Sequence, residues 1–212
     1  MKKILAVGAH FDDVELAAAG TLNYLSNKGA KVFKITLTDN VTKSKELKLN
    51  VKFNSSKKSS HNACKILGVK EIQNQMIKKC NFLDYDTVLM QYLEKIIIDN
   101  KIDTVFTHDK EDVNKDHVAC HDIATTAARH CQNIMTFQSN FYVLNKVFSP
   151  NFFVDISNNV DNKIKSLNCY DSEHNRKNSL FENTIDRNRV WGMSNGVKYA
   201  EAFLPIKFLQ KG

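Results

Sequence analysis

The chain opens on a short apolar run, Lys3-Ile4-Leu5-Ala6-Val7-Gly8-Ala9, of the kind that forms a strand buried on both faces. From Asp13 onward Val14, Leu16, Ala17, Leu22 and Leu25 recur at helical spacing, and Lys28-Gly29 supplies a stop. Lys31 to Leu37 predicts a second strand. The polar stretch from Asp39 to Ser56 predicts a loop, Ser59 to Leu67 a helix closed by Gly68, and Val69 to Ile77 a third strand. Asp86 to Asn100 places Val88, Leu89, Tyr92, Leu93, Ile96 and Ile97 along an amphipathic helix. Thr104 to Thr107 predicts a strand that delivers His108, and His117 to His130 a helix. In the tail, Phe141 to Leu144 and Phe152 to Ile156 predict strands, and Val160 to Tyr170 and Asn183 to Trp191 predict helices. Strands alternating with helices predict an α/β fold with a mostly parallel sheet. No linker or repeat interrupts the pattern, so one domain is expected over residues 1–212.

Composition removes several alternatives. With 42% apolar and 25% charged residues, 7 Gly and 2 Pro, the chain is neither collagen-like nor a low-complexity disordered sequence. No apolar stretch approaches the ~20 residues of a membrane span, and the start lacks a secretory pattern, so no membrane partner and a cytoplasmic location are expected. The 5 cysteines, Cys64, Cys80, Cys120, Cys131 and Cys169, are scattered with no Cys-x-x-Cys pair, which argues against a disulfide framework and a thiolate zinc site. The net charge of +7 raises nucleic acid as a partner. However, the densest basic stretch, Lys43 to Lys58, has little aromatic interleaving to stack bases, so nucleic acid is not the expected ligand.

Two clusters carry chemistry. His10, Asp12 and Asp13 stand where the first strand meets the first helix. His108, Asp109, Glu111, Asp112, Asn114, Asp116, His117 and His121 follow the strand at Thr104. Ligands of open α/β sheets collect beyond the carboxyl ends of strands, which places both clusters at one edge. Capping of a helix explains one aspartate there, but not a histidine and a second aspartate beside it. The glycines of a dinucleotide turn, a P-loop or a nucleophile elbow are missing. Two histidines and one carboxylate, His10, Asp13 and His117, match a catalytic zinc with one open position. Asp12, beside a ligand, is then placed to take a proton from water. Ferrous iron accepts the same ligands.

Ala9-His10-Phe11-Asp12-Asp13-Val14-Glu15-Leu16 with Gly20-Thr21-Leu22 resembles the first signature of the LmbE-like (PIG-L-type) zinc-dependent N-deacetylases, and Asn114-Lys115-Asp116-His117 stands in the place of their second. Asn151 to Ile156, Tyr170-Asp171-Ser172-Glu173 and Tyr199 to Phe203 continue the likeness toward the bacterial glycan and nucleotide-sugar branch. The resemblance implies a Rossmann-like sheet with helices on both faces, zinc on His10, Asp13 and His117, and Asp12 as general base. It also implies removal of an N-acetyl group from an amino sugar, nucleotide-linked or otherwise a glycan precursor, and assembly as a homo-oligomer.

The departures shape the remaining expectations. Phe11 replaces a proline of the family pattern, and Asn114 replaces its first His, a residue credited with stabilising the oxyanion or protonating the amine. Asn donates a hydrogen bond but supplies no proton. Asp116 accordingly loses the partner it would orient. Proton delivery falls to Asp12 or to His108 as acid. Asn114 and Arg129 are expected to contact substrate, Arg129 through a phosphate, and Tyr170, Glu173, His174 and Glu201 are candidates to line the cleft. Two rivals are a hydrolase of another small N-acyl compound and a carbohydrate-binding homologue that keeps the metal but has lost turnover.

Overall fold

The computed structural model describes residues 1–46, 49–142, 146–170 and 180–209. Its strands are β1 (Lys3–Gly8), β2 (Lys31–Thr36), β3 (Thr42–Ser44), β4 (Leu49–Val51), β5 (Lys70–Glu71), β6 (Thr104–His108), β7 (Asn133–Phe137), β8 (Phe152–Asp155) and β9 (Ala200–Lys207). Its helices are α1 (Asp13–Asn27), α2 (Phe53–Leu67), α3 (Thr87–Asn100), α4 (Lys115–Ala127), α5 (Val160–Leu167) and α6 (Glu182–Ser194). Seven strands form one sheet in the order β5-β2-β1-β6-β7-β9-β8. The first five run parallel, β9 runs against both its neighbours, and β3 and β4 pair as a separate antiparallel hairpin.

Alternation along β1 sorts the core into two layers. Leu5 and Val7 face α3 and α4, packing with Leu93, Ile97, Ile123 and Ala124. Ile4 and Ala6 face α1 and α2, packing with Ala18, Leu22, Cys64 and Leu67. Helices therefore cover both faces, and the continuous apolar run of β1 reflects burial on both sides. Asp86 caps α3 by accepting from the N–H groups of Val88 and Leu89 at 2.8 and 3.0 Å, a device worth about 1 kcal/mol. Gly68 closes α2 at φ 69°, the left-handed turn that glycine adopts without strain. Among the described residues no helix is long and apolar enough to cross a membrane.

Several elements differ from the sequence expectation. The predicted loop before Ser59 holds the β3–β4 hairpin and the first turns of α2. The buried stripe of α2 includes Ser56, Ser59 and Ser60, so the helix buries hydroxyls and lacks the apolar period that would have marked its start. The strand expected over Val69 to Ile77 shrinks to Lys70–Glu71. Residues 141 and 142 form no strand, while 143 and 144 lie outside the described residues. β7 and β9 were not anticipated at all. β7 is five residues long with polar Asn133 and Thr136, and β9 contains Pro205 and a register shift against β7.

The chain leaves β1 for β2 on one side and later returns to β6 on the other. The loops after β1 and β6 therefore splay apart at the carboxyl edge, which opens a crevice at this reversal of strand order.

Candidate metal centre

The loop after β1 and the start of α4 after β6 bring His10, Asp13 and His117 together across that crevice, with their donor atoms mutually close. His10 Nδ1 lies 3.1 Å from His117 Nε2, His117 Nε2 lies 3.2 Å from Asp13 Oδ1, and Asp13 Oδ2 lies 3.3 Å from His10 Nδ1. A tetrahedral ion with bonds of about 2.0–2.1 Å needs donors separated by about 3.3 Å, and each pair of side chains meets that spacing, Asp13 through Oδ1 toward His117 and through Oδ2 toward His10. All three residues are buried.

The opposite ring nitrogens are also committed. His10 Nε2 lies 3.1 Å from Asp116 Oδ2, and His117 Nδ1 lies 2.9 Å from Asp112 Oδ2. A carboxylate on the outer nitrogen holds the proton there and leaves the inner lone pair free for a metal. Asp116 is itself fixed by the N–H groups of Asn81 and Leu83, and Asp112 by Asn140 Nδ2 at 2.7 and 2.9 Å. The Ser139 hydroxyl donates to Asp13 Oδ1 at 3.1 Å. The sequence reading left Asp116 without a partner; the fold gives it His10. Asp112 of the same cluster holds His117, and Ser139 and Asn140, delivered by the carboxyl end of β7, carry no local mark in the sequence.

The metal-free centre is electrostatically tense. Burial alone would depress the His117 pKa, but Asp13 and Asp112 outweigh it and hold the imidazole at about 9. Burial likewise opposes the proton on His10, and Asp13 and Asp116 raise its pKa well above the ordinary value. Asp13 is driven the other way, its burial overcome by the three surrounding histidines. The inner nitrogens of His10 and His117, 3.1 Å apart, hold a proton between them that an incoming ion must displace. Zinc binding is expected to release protons near pH 7 and to strengthen as pH rises toward about 9, as read by calorimetry in buffers of differing ionisation heat. A binding heat independent of buffer would contradict it. By the same linkage, raised folded-state values stabilise the metal-free protein fully below about pH 6.5 and cease to do so as pH passes about 9.

The other expected residues fall in different places. Asp12 is buried at the N-terminal boundary of α1 and its carboxylate makes no capping bond there, so capping does not account for it. Asn114 caps α4, its Oδ1 accepting from the N–H of Asp116 at 2.9 Å. His108 is fully buried, stacked on His117 at 3.9 Å, with Nε2 lying 3.1 Å from both Asp13 Oδ2 and the amide of Ala9. Burial and the neighbouring His117 charge lower its pKa to about 4. His108 is thus enclosed beside the donor atoms, packed against both Asp13 and His117. Arg129 lies beyond the far end of α4, 12 residues from His117 in the sequence, or roughly 18 Å along the axis at 1.5 Å per residue. There it pairs with Glu94 at 2.6 Å. It is not brought to the centre.

His121 donates to the His108 carbonyl at 2.7 Å. The Tyr170 hydroxyl donates to the Phe11 carbonyl at 2.8 Å, and Glu201 pairs with Lys163, so neither lines the crevice. Glu173 and His174 lie outside the described residues. Glu15, buried, pairs with buried Lys34 at 2.7 Å.

Comparison with known proteins bears on the family and the fold. The family model described as PIG-L: GlcNAc-PI de-N-acetylase matches residues 5–128, which contain every candidate ligand. The conserved protein TT1542 of Thermus thermophilus superposes with a TM-score of 0.81 at 22% identity, covering 100% of this chain and 98% of that one. The N,N'-diacetylchitobiose deacetylase of Pyrococcus horikoshii superposes at 0.79 with 20% identity, covering 97% and 84%. GalB, the 4-carboxy-2-hydroxymuconate hydratase of Pseudomonas putida, superposes at 0.81 with 18% identity, covering 100% and 99%. At these identities the likeness concerns the fold.

Proposed function

The chain belongs to the PIG-L family, and from that premise we propose that it is a metal-dependent hydrolase that removes an N-acetyl group from an amino sugar. The carrying observation is the donor triangle of His10, Asp13 and His117, with each imidazole backed by its own carboxylate. Zinc suits these donors, and when bound it brings the pKa of water toward neutrality and polarises an amide carbonyl. Asp112 and Asp116 keep both imidazoles in the tautomer that offers the inner nitrogen. Asp12 takes the proton of the attacking water and hands it to the departing nitrogen, since Asn114 has none to give and His108 is enclosed. Asn114 uses its carbonyl to cap α4, which leaves Nδ2 to donate to the amide oxygen as negative charge gathers on it.

Next to the centre, on the other side of Phe11, a small pocket is lined by Thr36, Phe53, Lys57, Glu71 and Asn74. The Thr36 hydroxyl and Glu71 Oε2 are buried there without a hydrogen-bond partner among the described residues, and the cavity of about 30 Å³ is of a size for a bridging water.

The test is metal content of protein purified without chelator, together with amine release from a panel of N-acetylated sugars and nucleotide sugars. Bound zinc with amine release supports the proposal. Bound zinc without release, across the panel, favours the carbohydrate-binding alternative and points to Asn114 as the lesion. The hydratase among the similar folds is the reason to assay the product and not only consumption of the substrate.

A further inference from the structure

We propose that Arg187, on α6 and outside the matched residues 5–128, is a positioning residue for the metal centre, clamping the loop that follows β7. The inference rests on the metal reading above. The Arg187 guanidinium forks onto two backbone carbonyls, Nη1 donating to Asn140 at 2.8 Å and Nη2 to Gln138 at 2.9 Å. Its plane is held between the rings of Phe141 and Trp191, whose centroids lie 4.4 and 4.9 Å from Cζ.

The two carbonyls bracket the side chains that brace the ligands. Ser139 donates to Asp13, and Asn140 donates to both oxygens of Asp112, which in turn holds His117. One guanidinium thus reaches two of the three ligands through one short loop. The clamp is braced from behind, because α6 packs on β9 and β9 pairs with β7, the strand from which the loop departs.

The position is costly, which argues for a use. Among the described residues no carboxylate forms an ion pair with Arg187, and its Nε is buried without a hydrogen-bond partner. Burial pulls its pKa down to about 10, with Glu201 pulling upward, so the group is still a cation at neutral pH. A planar fork with two parallel donors fixes two carbonyls at once. An ammonium on a flexible stem holds one.

The experiment measures zinc affinity by competition with a chromophoric chelator, in the wild type and in Arg187→Lys, Arg187→Met and Asn140→Ala. Loss of outer support typically weakens a metal by about 10–100-fold, and both Arg187 variants are expected in that range. Because Arg187 acts partly through Asn140 and partly through Ser139, Arg187→Met added to Asn140→Ala is expected to cost less than Arg187→Met costs alone. A general loss of stability would behave differently. Leu67→Ala on α2, a buried core position that lowers the melting temperature, is expected to bind zinc as the wild type does. Arg187→Lys keeps the charge and bulk, and serves if the Met variant does not fold. Wild type that binds zinc while both Arg187 variants bind it equally well, or a fully additive double variant, overturns the clamp alone. Wild type that binds no zinc overturns the metal reading and the clamp together.

Discussion

Asp12→Asn is expected to keep its zinc and to lose about 10²–10⁴-fold in kcat for amine release. The substitution preserves shape and removes only the capacity to accept a proton. Asp12 is buried and makes no side-chain capping bond to α1, so the substitution breaks no cap of that helix. The neighbouring Asp13 behaves differently. It supplies one corner of the donor triangle and is approached by His10, His108, His117 and Ser139, so Asp13→Ala is expected to empty the site. Kinetics alone would not separate the two roles, and metal analysis of both variants does. Loss of zinc from Asp12→Asn would make Asp12 a ligand or a support, and full activity would move the base elsewhere.

Where these adjacent aspartates sit was readable in the sequence, because both halves of the site follow strongly patterned elements. The apolar run of β1 and the Ala-rich α1 fix where His10 to Asp13 sit, and the amphipathic α3 leads into β6 and the second cluster. The outer support was not readable in the same way. His10 and Asp116 are 106 residues apart, and only the order of strands shows that they meet. Ser139 and Asn140 follow a five-residue strand whose polar positions hide it, so nothing local marked them. The interior lysines escaped for a related reason. Lys34 and Lys163 are 1% and 0% exposed, yet a lysine in a helix or strand pattern is assigned to solvent by default. The serine stripe of α2 was obscured by the same logic, since Ser60 is buried in order to meet Lys34.

Lys163 carries the largest expected effect on stability. It lies on α5 and pairs with Glu201 on β9 at 2.5 Å, both fully buried. The pair is stitched into α1, with Lys163 donating to the Leu16 carbonyl at 2.8 Å and Glu201 accepting from the N–H groups of Gly20 and Thr21 at 3.0 and 2.7 Å. Lys163→Met removes the cation and strands a carboxylate in the interior. Breaking a buried pair in this way costs about 3–5 kcal/mol, which for a chain of this size lowers the melting temperature by roughly 6–20 °C. The exposed pair Lys95–Asp99 has no such burden, and Lys95→Met is expected to melt with the wild type. Glu201→Gln separates charge from packing. Burial lowers the Lys163 pKa while Glu201 raises it, and the value already lies below the ordinary one. Without Glu201 it falls further, so the folded variant sheds a proton that its unfolded chain retains up to about pH 10.4. Where the unfolded state binds more protons, stability rises with pH. The melting deficit of Glu201→Gln is therefore expected to be large at pH 7 and to narrow by about pH 9.5. A deficit that stays constant between those values would mean that Lys163 keeps its proton inside the variant, and that the missing hydrogen bonds to α1, not the unpaired charge, set the loss.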